Sequence, residues 1–140
     1  MSATLGGDTA VSLQSVGAIT LFVEDPQRSK AFYEKVFEVP VLFEDEDSVA
    51  FQFENTIINL LATPAAHELI APATVGGPDA GARVQYTIWV EDANVVCEEL
   101  ANRGVELLNG PIDRKWGMRT AAFTDPDGYV WEVAQNLSEG

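Results

Sequence analysis

Few residues in this chain have types and positions suited to chemistry, and the chief one is a carboxylate set among amides. Period-2 alternation along the strands described below places Glu132, Gln85 and Asn59 on one kind of sheet face, with Phe22 and Trp89 beside them. A carboxylate buried there without a partner would have a raised pKa and could act as a general base, so Glu132 is the single catalytic candidate. A carboxylate hydrogen-bonded to Gln85 or Asn59 would instead be spent on structure, and both readings stand at this level. His67, the only histidine, falls in a Pro- and Gly-rich connector and is expected in solvent. Cys97, the only cysteine, sits among apolar helix residues, as core and not as nucleophile. One cysteine permits no intramolecular disulfide, which fits a reducing cytoplasm.

The elements that must position these residues come in two copies. Thr20-Leu21-Phe22-Val23-Glu24-Asp25 returns as Thr87-Ile88-Trp89-Val90-Glu91-Asp92. Each copy is an alternating apolar strand that stops at an acidic pair, with a helix-like segment directly behind it. In the first module a strand over 17–23 leads to a helix begun by Asp25-Pro26 and ended before Pro40. Strands over 41–43, 49–53 and 56–61 follow, the first two paired across the acidic turn at 44–47. In the second, a strand over 84–90 leads to a helix capped by Asp92 and closed by Gly104. Strands at 105–108, 118–124 and 129–134 follow, with an irregular step at Asn109-Gly110-Pro111 and a tight turn at Asp125-Pro126-Asp127-Gly128. Each module reads β-α-β-β-β.

Module one spans 16–62 and module two 83–136, within one domain at 16–136. Residues 1–15 are expected to be a flexible leader and 137–140 a tail. The connector, 62–82, carries Pro64, Pro72, Gly76, Gly77, Pro78 and Gly81 and is expected to have little regular structure. Its length marks it as either a linker or a flap over a site.

Charge narrows the partners. Eight Lys and Arg against 22 Asp and Glu leave a formal charge of -14, which repels phosphate backbones and anionic membrane surfaces. Nucleic acid and membrane are therefore not expected partners, while a cationic small molecule is compatible. No run reaches the roughly 18 apolar residues of a membrane helix.

Helices on one side of a sheet leave its other face open. Alternation assigns Ala18, Thr20, Phe22, Ile57, Asn59 and Leu61 to the open face in module one. It assigns Gln85, Thr87, Trp89, Val130, Glu132 and Ala134 to the open face in module two. The surface mixes apolar, aromatic and amide groups with one carboxylate, the usual make-up of a small-molecule pocket. A one-residue slip in register would turn Phe22 and Trp89 into core. Trp131 and Val133 alternate onto the core side.

The doubled β-α-β-β-β plan carries a resemblance to a known family. So do the helix start Val23-Glu24-Asp25-Pro26-Gln27-Arg28-Ser29-Lys30-Ala31-Phe32-Tyr33 and the run from Trp116-Gly117-Met118-Arg119 to Asp125-Pro126-Asp127-Gly128-Tyr129-Val130-Trp131-Glu132. Together they resemble the vicinal oxygen chelate superfamily, which holds glyoxalase I, methylmalonyl-CoA epimerase, extradiol dioxygenases and the fosfomycin and bleomycin resistance proteins. The closest motif likeness is to the bleomycin-resistance-like branch. The resemblance covers about residues 16–136. It implies an α+β fold in which two βαβββ modules form a curved mixed sheet with the helices on its outer face.

The resemblance also implies where a metal would sit. Family enzymes hold a divalent ion with one side chain from the first and one from the last strand of each module, drawn from His, Gln and Glu. Those places fall on Ala18, Asn59, Gln85 and Glu132, of which only Gln85 and Glu132 are suitable donors. Under this resemblance the expected protein is metal-free, a homodimer that sequesters a cationic or aromatic antibiotic-like compound. Its ligand-binding residues would be Phe22, Asn59, Gln85, Trp89, Trp116, Arg119 and Glu132. Trp116 and Arg119 match a segment that borders the ligand groove in the bleomycin-resistance branch, although a loop tryptophan equally suits a dimer contact. The alternative is a divalent-metal lyase, isomerase or dioxygenase of the glyoxalase type, its missing donor recruited from elsewhere.

Overall fold

The computed structural model describes residues 11–139. Of the leader expected over 1–15, residues 1–10 lie outside the described part, and 11–15 are exposed and in no regular element. Residue 140 of the expected tail is likewise outside it.

Module one runs β1 (Ala18–Val23), α1 (Pro26–Phe37), β2 (Val41–Glu44), β3 (Ser48–Gln52) and β4 (Ile57–Ala62). Asp25 caps α1 by accepting from the N–H groups of Gln27 and Arg28, and Pro26 takes the first helical position. In the β2–β3 turn the Asp45 carboxylate accepts from Asp47 N, Ser48 N and the Ser48 hydroxyl. Module two repeats the order with β5 (Gln85–Trp89), α3 (Ala93–Asn102), β6 (Asn109–Arg114), β7 (Met118–Thr124) and β8 (Val130–Asn136). Asp92 caps α3 through Val95 N. The other end closes as a Schellman motif: Gly104, at φ 84°, donates to Ala101 O and Val105 donates to Leu100 O.

Each module makes a four-stranded mixed sheet, in orders β1-β4-β3-β2 and β5-β8-β7-β6. The first strand runs parallel to the last, setting Thr20 beside Asn59 and Thr87 beside Glu132. The helix-side residues of both sheets share one core, which includes Leu21, Tyr33, Phe51, Leu60, Phe123, Trp131 and Val133. Helix α1 reaches both modules: Phe37 packs 4.6 Å from the Trp131 ring and 6.0 Å from Phe123. Truncating Trp131, 2% exposed, is in the range of about 3–5 kcal/mol. The open faces of both sheets are turned away from this shared core.

Two expected elements are corrected. The connector is not wholly irregular, because Thr63–Ile70 forms α2. Pro64 is compatible with the first turn of a helix, Ala65, Ala66 and Leu69 are good helix formers, and buried Ala66 anchors the helix. The helix stops before Ala71-Pro72, where the residue preceding proline disfavours helical backbone. The strand expected at 105–108 lies instead at 109–114. Gly110-Pro111, expected as a break, is a bulge inside β6, where the register to β7 shifts between Asn109 and Ile112. Gly110 has φ 93°, and a Cβ there would collide with Thr120 O. Within the expected tail, Leu137–Glu139 forms a short 3-10 turn, and Leu137 N donates to Gly117 O.

The Asp125-Pro126-Asp127-Gly128 turn does more than reverse the chain. Asp125 accepts from Asp127 N, Tyr129 N and the Tyr33 hydroxyl, the last at 2.8 Å, and Trp131 Nε1 donates to Tyr33 Oη. Asp127 accepts from Glu24 N and the Ser29 hydroxyl and lies 3.5 Å from the Arg28 guanidinium. The turn of module two thereby fastens the start of α1 in module one. Burial pushes the Asp125 carboxyl above its ordinary range, against the opposing pull of these donors.

Candidate functional site

The parallel register of β5 and β8 assembles the open face of the second sheet. Gln85, Thr87 and Trp89 stand beside Val130, Glu132 and Ala134, and β7 continues the face with Ala122, Thr120 and Met118. Trp89 is 70% exposed, so it is surface on this face and not core. Glu132 accepts a 2.8 Å hydrogen bond from the Thr87 hydroxyl. The partner expected from the sequence, Gln85 or Asn59, is replaced for a geometric reason: Thr87 is directly opposite Glu132, Gln85 is opposite Val130, and Asn59 is on the other sheet.

The first sheet mirrors this arrangement without the charge. Asn59 donates to the Thr20 hydroxyl at 3.5 Å, with Ala18 exposed at the strand's start and Phe22 half-buried. Of the seven expected ligand-binding residues, the second sheet brings together Gln85, Trp89 and Glu132, and the first brings together Phe22 and Asn59. Trp116 is 66% exposed at the tip of the β6–β7 hairpin. Arg119 alternates to the helix side, where it forms a 2.6 Å ion pair with Asp113 that holds the Asp113 carboxyl below its usual range. His67 is exposed on α2, and Cys97 is buried with its thiol pushed up by desolvation.

A cavity of about 390 Å³ lies between the end of β1, the loop over 75–84 and the start of β8. Phe22, Thr63, Val75, Arg83, Tyr129 and Val130 are among its walls, while Asn59, Gln85 and Glu132 are not.

One side chain on the second open face escaped the sequence reading. Arg114, at the end of β6, pairs with Met118 and so faces the same way as Thr120 and Glu132. Its Nε donates to the Thr120 hydroxyl at 2.9 Å and its Nη2 to Asn109 Oδ1 at 3.4 Å. Counting back from Thr120 finds it once β6 is known to cover 109–114; a strand at 105–108 hides it.

Two βαβββ modules, each closed by a parallel first and last strand, define a duplicated mixed-sheet protein with an open face on each half. The sequence profile of the Glyoxalase/Bleomycin resistance protein/Dioxygenase superfamily matches residues 15–133, and the chain belongs to that superfamily. The uncharacterized protein YraH of Bacillus subtilis (strain 168) is 30% identical over 124 residues, 85% of this chain and 96% of that protein. A glyoxalase/bleomycin resistance protein/dioxygenase from Nocardioides has a TM-score of 0.83 over 94% of this chain and 89% of its own, at 21% identity. A glyoxalase-related enzyme from Fulvimarina pelagi has a TM-score of 0.75 at 24% identity, covering 89% of each chain. At these identities the solved structures establish the fold.

The positions where the superfamily's enzymes carry metal donors do not match a divalent ion in this chain. Ala18 has no donor atom, Asn59 is tied to Thr20, and Glu132 is tied to Thr87. Among the described residues no group of three or more His, Cys, Asp or Glu is placed to hold a metal ion. Three protein ligands is the usual minimum for a catalytic zinc site. No described helix is long and apolar enough to cross a membrane.

Proposed function

We propose that this protein binds a small molecule without a metal, on the open sheet faces, and that a second copy of the chain completes the pocket. The reading rests chiefly on the second open face. It keeps an exposed tryptophan, Trp89, beside Gln85 and Glu132, while the corresponding donor position in module one is Ala18. Trp89 and Phe22 supply stacking area, and Trp116 extends the apolar rim. Glu132 and the charge of -14 favour a cationic group on the ligand. Sequestration of an aromatic, cationic antibiotic-like compound, in the manner of the bleomycin-resistance branch, is the activity this arrangement serves. A homodimer explains why a sheet face bearing Thr87 and Trp89 is left uncovered in the single chain.

Titration with a cationic glycopeptide of the bleomycin class, followed by tryptophan fluorescence, tests the ligand. Saturable quenching supports it, and none at high micromolar concentration excludes that class. Analytical ultracentrifugation is expected to give a dimer. The competing activity, a divalent-metal lyase, isomerase or dioxygenase of the glyoxalase type, needs a tightly held ion. Elemental analysis of protein purified without chelator is expected to find no stoichiometric zinc, nickel or iron. A full equivalent that survives dialysis would reverse the assignment.

A further inference from the structure

Arg114 is set apart from the other arginines that point at partners. The chain has 22 acidic residues against 8 basic ones, so a guanidinium finds a carboxylate easily. Among the described residues Arg28 faces Asp127, Arg103 faces Glu38 and Glu99, and Arg119 faces Asp113. Among the described residues neither Arg114 nor Arg83, which lines the cavity beside β1, makes such a pair, and of the two only Arg114 is on the open sheet face. It is held by two neutral oxygens, the Thr120 hydroxyl and the Asn109 amide, and Thr120 is 2% exposed.

These two bonds orient the guanidinium and leave three of its five N–H donors unspent. The group is half-buried on the open face of the second sheet, next to Met118 and two strands from Glu132. Two strand spacings are about 10 Å, and the four residues of β7 between the Met118 level and the Ala122 level, where Glu132 pairs, add about 13 Å along the strands. A guanidinium positioned by neutral partners keeps its full charge for a third party, and its planar fork matches an oxyanion with two oxygens.

We propose that Arg114 is a ligand-binding residue that anchors a carboxylate on an aromatic ligand lying across the second open face. The inference rests on the reading of that face as a small-molecule site and adds to it a specificity determinant. The ligand carries an acidic group at the β6 end of the face, whatever group meets Glu132 at the β8 side. The face is thus selective by charge at two separate points, within a protein whose overall charge disfavours anions.

The probes are 2-naphthoate and 2-naphthamide, which differ in the acid alone. Affinities are read by tryptophan fluorescence, and contacts by the arginine Nε–H signals in nitrogen-correlated NMR spectra. The intact protein is expected to bind the acid about ten-fold tighter than the amide, with the Arg114 Nε–H signal shifting on addition of the acid. Arg114→Gln should bind both alike, and Arg114→Lys, which keeps the charge and loses the fork, should retain part of the preference. Thermal melts establish that each variant is folded, and Arg114→Lys stands as the informative variant if Arg114→Gln does not fold. Equal binding of acid and amide to the intact protein overturns the role of Arg114 and leaves the small-molecule site standing. So does a preference for the acid that survives in Arg114→Gln. Absence of binding by either compound at millimolar concentration counts against the site itself.

Discussion

The Tyr129 hydroxyl holds both backbone groups of Phe22, accepting from its N–H and donating to its C=O, each at 2.9 Å. β1 is the edge strand of the first sheet, so its outward groups have no ladder partner and must be satisfied from elsewhere. Module two supplies that partner. Tyr129→Phe removes both bonds and leaves two half-buried backbone groups unpaired, at an expected cost of about 1–3 kcal/mol. Urea unfolding of the variant measures it, and a change below about 0.5 kcal/mol means water replaces the hydroxyl without penalty.

Asp125 ties stability to pH. Burial raises its folded pKa above the unfolded value of about 3.9, so the fold favours the protonated form. Its contribution is fully present below the unfolded pKa and is lost as pH rises through the folded one. The stability of the natural protein relative to Asp125→Asn should therefore fall as pH rises from about 4, then level off. Denaturation across this range measures it; a relative stability that rises with pH refutes the assignment.

Two glycines with left-handed backbone separate crowding from conformation. At Gly110 a Cβ would collide with Thr120 O and Ala121, whereas at Gly117, with φ 86°, nothing lies within 4 Å. Gly110→Ala is expected to cost more than about 2 kcal/mol and Gly117→Ala about 1 kcal/mol. Similar thermal shifts for the two would show that β6 relaxes away from β7.

Trp89 should matter to binding and not to folding. At 70% exposure its removal leaves no cavity, so Trp89→Ala is expected to change stability by no more than about 0.5 kcal/mol. Loss of its stacking area should weaken an aromatic ligand about ten-fold. Calorimetric titration beside a thermal melt separates the two effects; unchanged affinity would place the ligand elsewhere.

Local chemistry made much of this architecture legible in advance. The two acidic caps, Asp25 and Asp92, and the closing Gly104 act within a few residues of themselves, and the repeated hexapeptide marked both edge strands. The open-face assignment of Trp89 followed from alternation alone. The features that were not legible depend on residues far apart. Thr87 meets Glu132 only because a parallel register aligns them across 45 positions of chain. Tyr33 meets Asp125 across 92, and nothing in the Asp-Pro-Asp-Gly turn itself shows that it fastens the other module. Two proline-bearing segments misled in the same way. Pro64 starts α2 and Pro111 sits within a bulged strand, so each reads as a breaker where the chain continues an element.

That bulge has a consequence for the charge on the open face. Asn109 and Arg114 are five positions apart, an odd separation that in an uninterrupted strand would put them on opposite sides of the sheet. The extra residue at Gly110-Pro111 changes the parity of everything upstream of it, so both side chains emerge on one side and the amide can reach the guanidinium. Drawn into a regular strand at its present length, with the hairpin at 114–117 kept, this segment would turn Asn109 to the opposite side of the sheet. Arg114 would then be held by Thr120 alone. The orientation of the cation is thus set by the count of residues in its strand as much as by their identity.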